Sequence, residues 1–175
     1  MQPFSKQVDR FMSEKPGDSK TYDRESLLVG KIPYIFKRIG LPSLPVTINQ
    51  DHVLKALTWK GVDEKYIQSH TFSKEEFKKL PEKVSNPIAI GYDPQTSKQL
   101  IVYVDMKSNS GEQVIIPLRI GGVTNIKGQR INALKLDTTM SPVNEGGKAL
   151  LESAIRSDTP QNATLFYINK EKASA

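Results

Sequence analysis

The chain contains no cysteine, one tryptophan and only two histidines. The absence of thiols excludes disulfides, thiolate zinc sites and a Cys nucleophile together. A transition metal would have to rely on carboxylates, and Asp51 beside His52 is a poor start because adjacent helical residues point apart. No apolar stretch approaches the roughly 20 residues needed to cross a bilayer as a helix. The N-terminal "MQPFSKQVDR" lacks the apolar segment of a secretory signal, so export would depend on another machine or a larger parent chain. A phosphate loop around Gly147 and Lys148 is ruled out by Pro142 and Ala149, which stand where Gly and Ser or Thr are required. There is no G-x-G-x-x-G, no G-x-S-x-G and no H-E-x-x-H.

What is present is a modest basic excess. Lys and Arg number 25 against 19 Asp and Glu, a formal charge of +6 that favours polyanionic partners at low salt. With 175 residues and 37% hydrophobic content, one compact domain can bury a core. Residues 1–21, with "SEKPGDSKT", read as a flexible leader or linker, and 22–175 as a single domain. Pro33 opens and Gly40 closes a helical turn. "PVTI" reads as a short strand, and "NQDHVLKALTWKG" as a helix with Asn49 as N-cap and Gly61 as its stop.

Ser73 and Glu76 form a capping-box pattern, and Phe72 and Phe77 are spaced to clamp the entering chain. Pro81 is expected to end this short helix. "PIAIGY", "QLIVYVDM" and "EQVIIPLRI", separated by "DPQTSK" and "KSNSG", read as an antiparallel meander. "INALKLD" adds a strand, "NEGGKALLESAIRS" an amphipathic helix and "ATLFYIN" a closing strand. The predicted class is α+β: N-terminal helices followed by a twisted, mainly antiparallel sheet, with one helix before the last strand.

His70 lies just ahead of the helix that Ser73 caps. The positive end of that helix would keep its imidazole neutral and able to accept a proton. A helix-entry residue bonded to backbone is the competing role. His52, on the first turn of its helix, is the second candidate. Lys107, Arg119, Lys127, Arg130 and Lys135 are available to stabilise phosphoryl charge, and strand-edge solvation is their ordinary use. Tyr92, Tyr103 and Tyr167 are candidates to stack on unpaired bases, against sheet packing.

The order of "LVGKIPYIFKRIGLPSLPVTINQDHV", "HTFSKEEFKKLPEKVSNPIAI", "GEQVIIPLRI" and "LFYINKEKAS" resembles the C-terminal domain of phage MuF-type proteins, from about Leu27 to Ser174. That resemblance implies a barnase/EndoU/colicin/RelE-like nuclease fold. It also implies a metal-independent, toxin-like endoribonuclease that cleaves RNA, tRNA among the candidates, by attack of the 2′-hydroxyl, with no cofactor. On this basis His70 matches the family histidine and His52 a less regular one. Lys135 or Lys170 would stabilise charge and Thr138 or Thr139 would hold phosphate, although the usual Tyr-Gly is missing after Thr139. Lys107, Arg119, Arg130 and Tyr167 would bind substrate. The resemblance further implies a cognate immunity protein and delivery from a larger secreted or phage-borne protein into a target-cell cytoplasm. The alternatives are a non-catalytic phage structural or interaction module, or another enzyme toxin on a related scaffold.

Overall fold

The structure, a computed structural model, describes residues 2–14, 25–58, 63–92, 99–136, 140–156 and 165–174. In chain order its elements are α1 (Phe4–Glu14), β1 (Ser26–Gly30), α2 (Tyr34–Arg38), β2 (Val46–Asn49), α3 (Gln50–Thr58) and α4 (Glu64–His70). Next come α5 (Lys74–Phe77), α6 (Leu80–Ser85), β3 (Ala89–Tyr92), β4 (Gln99–Lys107), β5 (Gln113–Ile126) and β6 (Gln129–Leu136). The chain continues with β7 (Ser141–Pro142), α7 (Glu145–Arg156), β8 (Leu165–Ile168) and α8 (Lys170–Ser174). The strands form one sheet in the order β1-β2-β6-β5-β4-β3-β8, with β7 pairing to β5. Every pairing is antiparallel except that of β2 with β6. The predicted α+β class is therefore what the structure shows.

The sheet carries a core on each face. Val114, Ile116 and Leu118 of β5 alternate into the main core with Val102, Val104, Leu134 and Leu136. The helices α1, α2, α3, α5 and α6 cover that side through Val8, Phe36, Val53, Phe77 and Leu80. The intervening residues face the other way. There Tyr103, Ile101 and Ile115 meet Leu165, Val143 and Leu151 of α7 in a second, smaller cluster. Fully burying each such large side chain contributes about 1.5–3 kcal/mol.

The local chemistry explains most element boundaries. The Ser73 hydroxyl accepts the Glu76 amide at 3.1 Å, and Asn49 Oδ1 accepts the Asp51 amide at 3.1 Å, so both expected caps form. The Phe72 and Phe77 rings lie 6.4 Å apart, closing the clamp. Pro81 does not end the structure as expected. It lies in the first turn of α6, where the missing amide has no intrahelical partner to lose. Gly61 lies outside the described residues. Lys127 and Gly128 both adopt left-handed backbone, which makes the β5–β6 connection a tight hairpin turn. Their amides donate to the Glu25 carboxylate at 3.1 and 3.4 Å, which ties the hairpin tip to the start of β1.

The expected leader 1–21 is corrected at its start. Residues 4–14 form α1, whose Phe4, Val8 and Phe11 are buried in the main core. The apolar spacing of three and four residues that defines its buried face is hidden in a polar composition. The Gln7 carboxamide donates to the Leu28 carbonyl and accepts the Leu28 amide, both at 3.0 Å, as a neighbouring strand would. In this way α1 helps close the outer edge of β1.

Asp9 anchors the same helix by accepting from Lys74 at 2.7 Å and Lys78 at 2.8 Å. These two hydrogen bonds, Lys74 first, hold its carboxyl below the usual range. A lowered folded-state value means the stabilisation is present above the ordinary Asp value, about pH 4. It is lost as pH falls through the folded value. Asp9→Asn should therefore lower the thermal midpoint at pH 5–7, and the difference from wild type should close as the pH is taken below about 4. Melting both proteins across that range by circular dichroism checks it.

Candidate functional site

One row across the second face of the sheet differs from its neighbours. Tyr103 pairs with Ile115 and Ile101 with Pro117, and both rows are apolar. The next row is polar: Gln99 on β4 opposes Arg119 on β5, Arg119 opposes Lys135 on β6, and Lys135 is in register with Thr47 on β2. Side chains directly opposite on adjacent strands lie about 4.5–5.5 Å apart at Cβ, so Arg119 and Lys135 can act on one anion. Arg119 is exposed and Lys135 half-buried. Thr47 is fully buried, and its hydroxyl has no hydrogen-bond partner among the described residues. An orphaned hydroxyl of this kind costs about 1–3 kcal/mol.

A β-bulge sets the orientation of this row. Arg119 opposes Lys135, but three residues later Gly122 opposes Ala133, only two positions from Lys135. The extra residue is accommodated with Gly121 at φ +75. The bulge turns Gly122 onto the same face as Arg119 and Lys135. A Cβ built on Gly122 would sit 2.4 Å from Lys135 Cδ, so the lysine stem lies directly across the glycine backbone.

His70 is elsewhere. It is the last residue of α4, not the entrance to the next helix, so the argument from a helix amide end does not apply to it. Its ring stacks on Tyr66, with centroids 3.9 Å apart and planes 22° from parallel. Its Nδ1 lies 2.8 Å from the Tyr66 carbonyl and 2.8 Å from Ser69 Oγ. A carbonyl only accepts, so this network assigns the proton of the neutral ring to Nδ1 and leaves Nε2 as the basic nitrogen. Ser69 donates its own hydroxyl to the same carbonyl at 2.8 Å. The ring is half-buried and is not sealed in either core.

The surroundings of His70 follow from chain connections. Asn109 donates its amide to the Thr71 carbonyl and Ser110 its amide to the Gln68 carbonyl, so the β4–β5 loop docks on the end of α4. Lys107, exposed at the end of β4, is the candidate cation this brings nearest. The Phe72 amide bonds the Ala56 carbonyl, which joins α3, one turn past His52, to the segment that follows α4. α4 packs on β7, whose Ser141 opposes Ile115. Ile115 is four residues from Arg119, about 13 Å along the strand. The histidine corner and the Arg119–Lys135 row are thus two groups on one sheet.

The remaining candidates lie apart from both. Lys170 begins α8, beyond β8. Four strand spacings separate β8 from β7, roughly 19 Å. Arg130 is exposed on the β5–β6 hairpin, and strand alternation sets it on the face opposite Lys135. Tyr167 and Tyr92 pack against the main core and Tyr103 lies buried in the second, so all three rings serve sheet packing. Thr138 and Thr139 lie outside the described residues.

Sequence reasoning missed Thr47, Gln99 and Tyr66. The signal for Thr47 and Gln99 is a long-range register that no local pattern carries, whereas Tyr66 stands four residues before His70, the spacing that stacks side chains on a helix. Among the described residues, no three or more His, Asp or Glu side chains gather to hold a metal ion. No described helix is long and apolar enough to cross a membrane.

Residues 61–175 match the model of the phage MuF C-terminal domain, which covers α4 through α8 and all strands from β3 onward. No curated protein and no solved structure matches the chain.

The close approach at Gly122 gives a test of the row. Gly122→Ala must displace the Lys135 stem, which is flexible, so the thermal midpoint should change little. Elution from a heparin column should shift to lower salt, between wild type and Lys135→Ala.

Proposed function

Since the chain belongs to the phage MuF C-terminal domain family, we propose that it is a metal-independent endoribonuclease of the toxin type. The observation that carries the reading is the Arg119–Lys135 row, two cations in register beside the apolar rows of Ile101, Tyr103 and Ile115. Such a pair grips a phosphodiester backbone without reading its sequence. The histidine corner is joined to the same strand through β7, which pairs with β5 at Ile115, four residues before Arg119.

In this reading the RNA supplies its own nucleophile. His70 Nε2 takes the proton of the 2′-hydroxyl, the 2′-oxygen bonds to the adjacent phosphorus, and the bond to the 5′-oxygen breaks. That oxygen takes up a proton and leaves as a 5′-hydroxyl. His52, on the helix bonded to Phe72 through Ala56, is the proposed group to supply that proton. Lys107 stabilises charge at this phosphate, and Lys135 moves from the chemical step to substrate binding alongside Arg119. RNA as substrate, an acidic immunity protein over the basic surface, and delivery into a target cell all belong to this same proposal.

A second reading has its own observation. The Tyr66 carbonyl and ring engage His70 as a well-fitted end to α4, which is what a non-catalytic interaction module would retain. The assay is purified protein with total tRNA in EDTA. The ribonuclease reading expects fragments ending in 2′,3′-cyclic phosphate, a loss of at least about 100-fold for His70→Ala, and a higher KM for Arg119→Ala. Intact RNA, or undiminished cleavage by His70→Ala, overturns it in favour of the module.

A further inference from the structure

Tyr66 has no core role. α4 buries none of its residues, and the Tyr66 side chain is 45% exposed although it is a large aromatic. Yet its ring is not loose, because it stacks at 3.9 Å on the half-buried His70 ring, which is itself tied by Nδ1 to the Tyr66 carbonyl. The platform is thus held in one orientation before any ligand arrives, which removes much of the ordering cost of binding. A ring fixed at the surface beside a basic nitrogen suits a flat, unpaired nucleobase. Every base offers a π-face, so stacking of this kind tolerates any sequence.

The rest of the corner fits a nucleotide strand. Lys65 and Lys107 are exposed on the same helix and the adjoining strand end. Gln68, Ser69 and Asn109 line the α4 end and the loop docked on it, their side chains bonded to Glu64, the Tyr66 carbonyl and the Thr71 hydroxyl. No apolar pocket is called for, because one face of a base needs only one ring.

Resting on the ribonuclease reading of the same corner, we infer that Tyr66 is the stacking platform for an unpaired base of the RNA, next to the phosphate on which His70 acts. The platform is a binding residue and takes no proton. It positions the nucleotide, and the imidazole beneath it holds the ring in place.

The test is fluorescence anisotropy with a labelled, fully 2′-O-methylated oligonucleotide, which cannot be cleaved because its 2′-oxygen carries no proton. A matched abasic strand of the same length keeps the phosphates and removes the bases. Tyr66→Leu retains apolar bulk and removes the π-face, whereas Tyr66→Phe retains the ring. The expectation is that Tyr66→Leu weakens binding of the base-bearing strand about tenfold, that Tyr66→Phe binds as wild type does, and that all three bind the abasic strand equally. Equal binding of the base-bearing strand by Tyr66→Leu overturns the inference, as does an equal loss on the abasic strand or a Phe variant as weak as Leu. A base-specific loss in a protein that cuts no RNA would uphold the platform and reject the ribonuclease reading, so the two failures are distinguishable.

Discussion

The alternation of side chains along β5 obliges one strand to serve two cores. Val114, Ile116 and Leu118 face the helices of the main cluster, and Ile115 faces the α7 side. A strand buried on both faces has few positions left for polar groups, so the place where its second face turns polar stands out. That change occurs at Arg119, one residue after the last core leucine and just before the bulge at Gly121. The bulge keeps Gly122 on the polar face and lets the Lys135 stem lie flat against backbone. A regular strand would have sent the following side chains to the opposite side. The candidate interface is therefore a consequence of how β5 is paired, and it needs no loop to build it.

The histidine corner depends on the same strand in another way. β7 extends the line of β6 along the first residues of β5, and α4 packs on β7. The β4–β5 loop then docks on the end of α4 through backbone amides of Asn109 and Ser110. Backbone contacts of this sort place Tyr66, Ser69 and His70 without demanding particular side chains from the loop. Both polar groups consequently depend on β5, the row directly and the histidine corner through β7 and the β4–β5 loop.

Local chemistry was readable and long-range register was not. The Ser73 cap, the Asn49 cap, the Phe72–Phe77 clamp and the strands of the meander all rest on neighbours within a few residues, and all appear where expected. Arg119 and Lys135 were recognisable as candidate cations, but their side-by-side placement depends on β5 and β6 meeting in one register with a bulge. Thr47 enters the row only through the parallel pairing of β2 with β6, across more than half the chain's length in sequence. α1 failed to register because a helix with three core contacts and a polar remainder has the composition of a linker. His70 is legible as a candidate by its residue type but not by its setting, since the helix it terminates carries no buried residue to reveal it.

The geometry also decides between two ways of using charge. A single-phosphate site would gather a histidine and its cations within one hydrogen-bond shell, and Lys135, Lys170 and His70 are not so gathered. Cations four residues along β5 from the point where β7 pairs would not reach the phosphate at the proposed base by direct contact. In the proposed ribonuclease they would act through the strand they hold, by keeping the scissile linkage near His70 and raising its local concentration. The proposed chemical step would then rest on groups bonded around the end of α4, and the Arg119–Lys135 row would contribute affinity that weakens as salt rises. Under the proposed function, charge at the row and proton transfer at His70 are separable, so a protein that kept the first and lost the second would still bind RNA while leaving it whole.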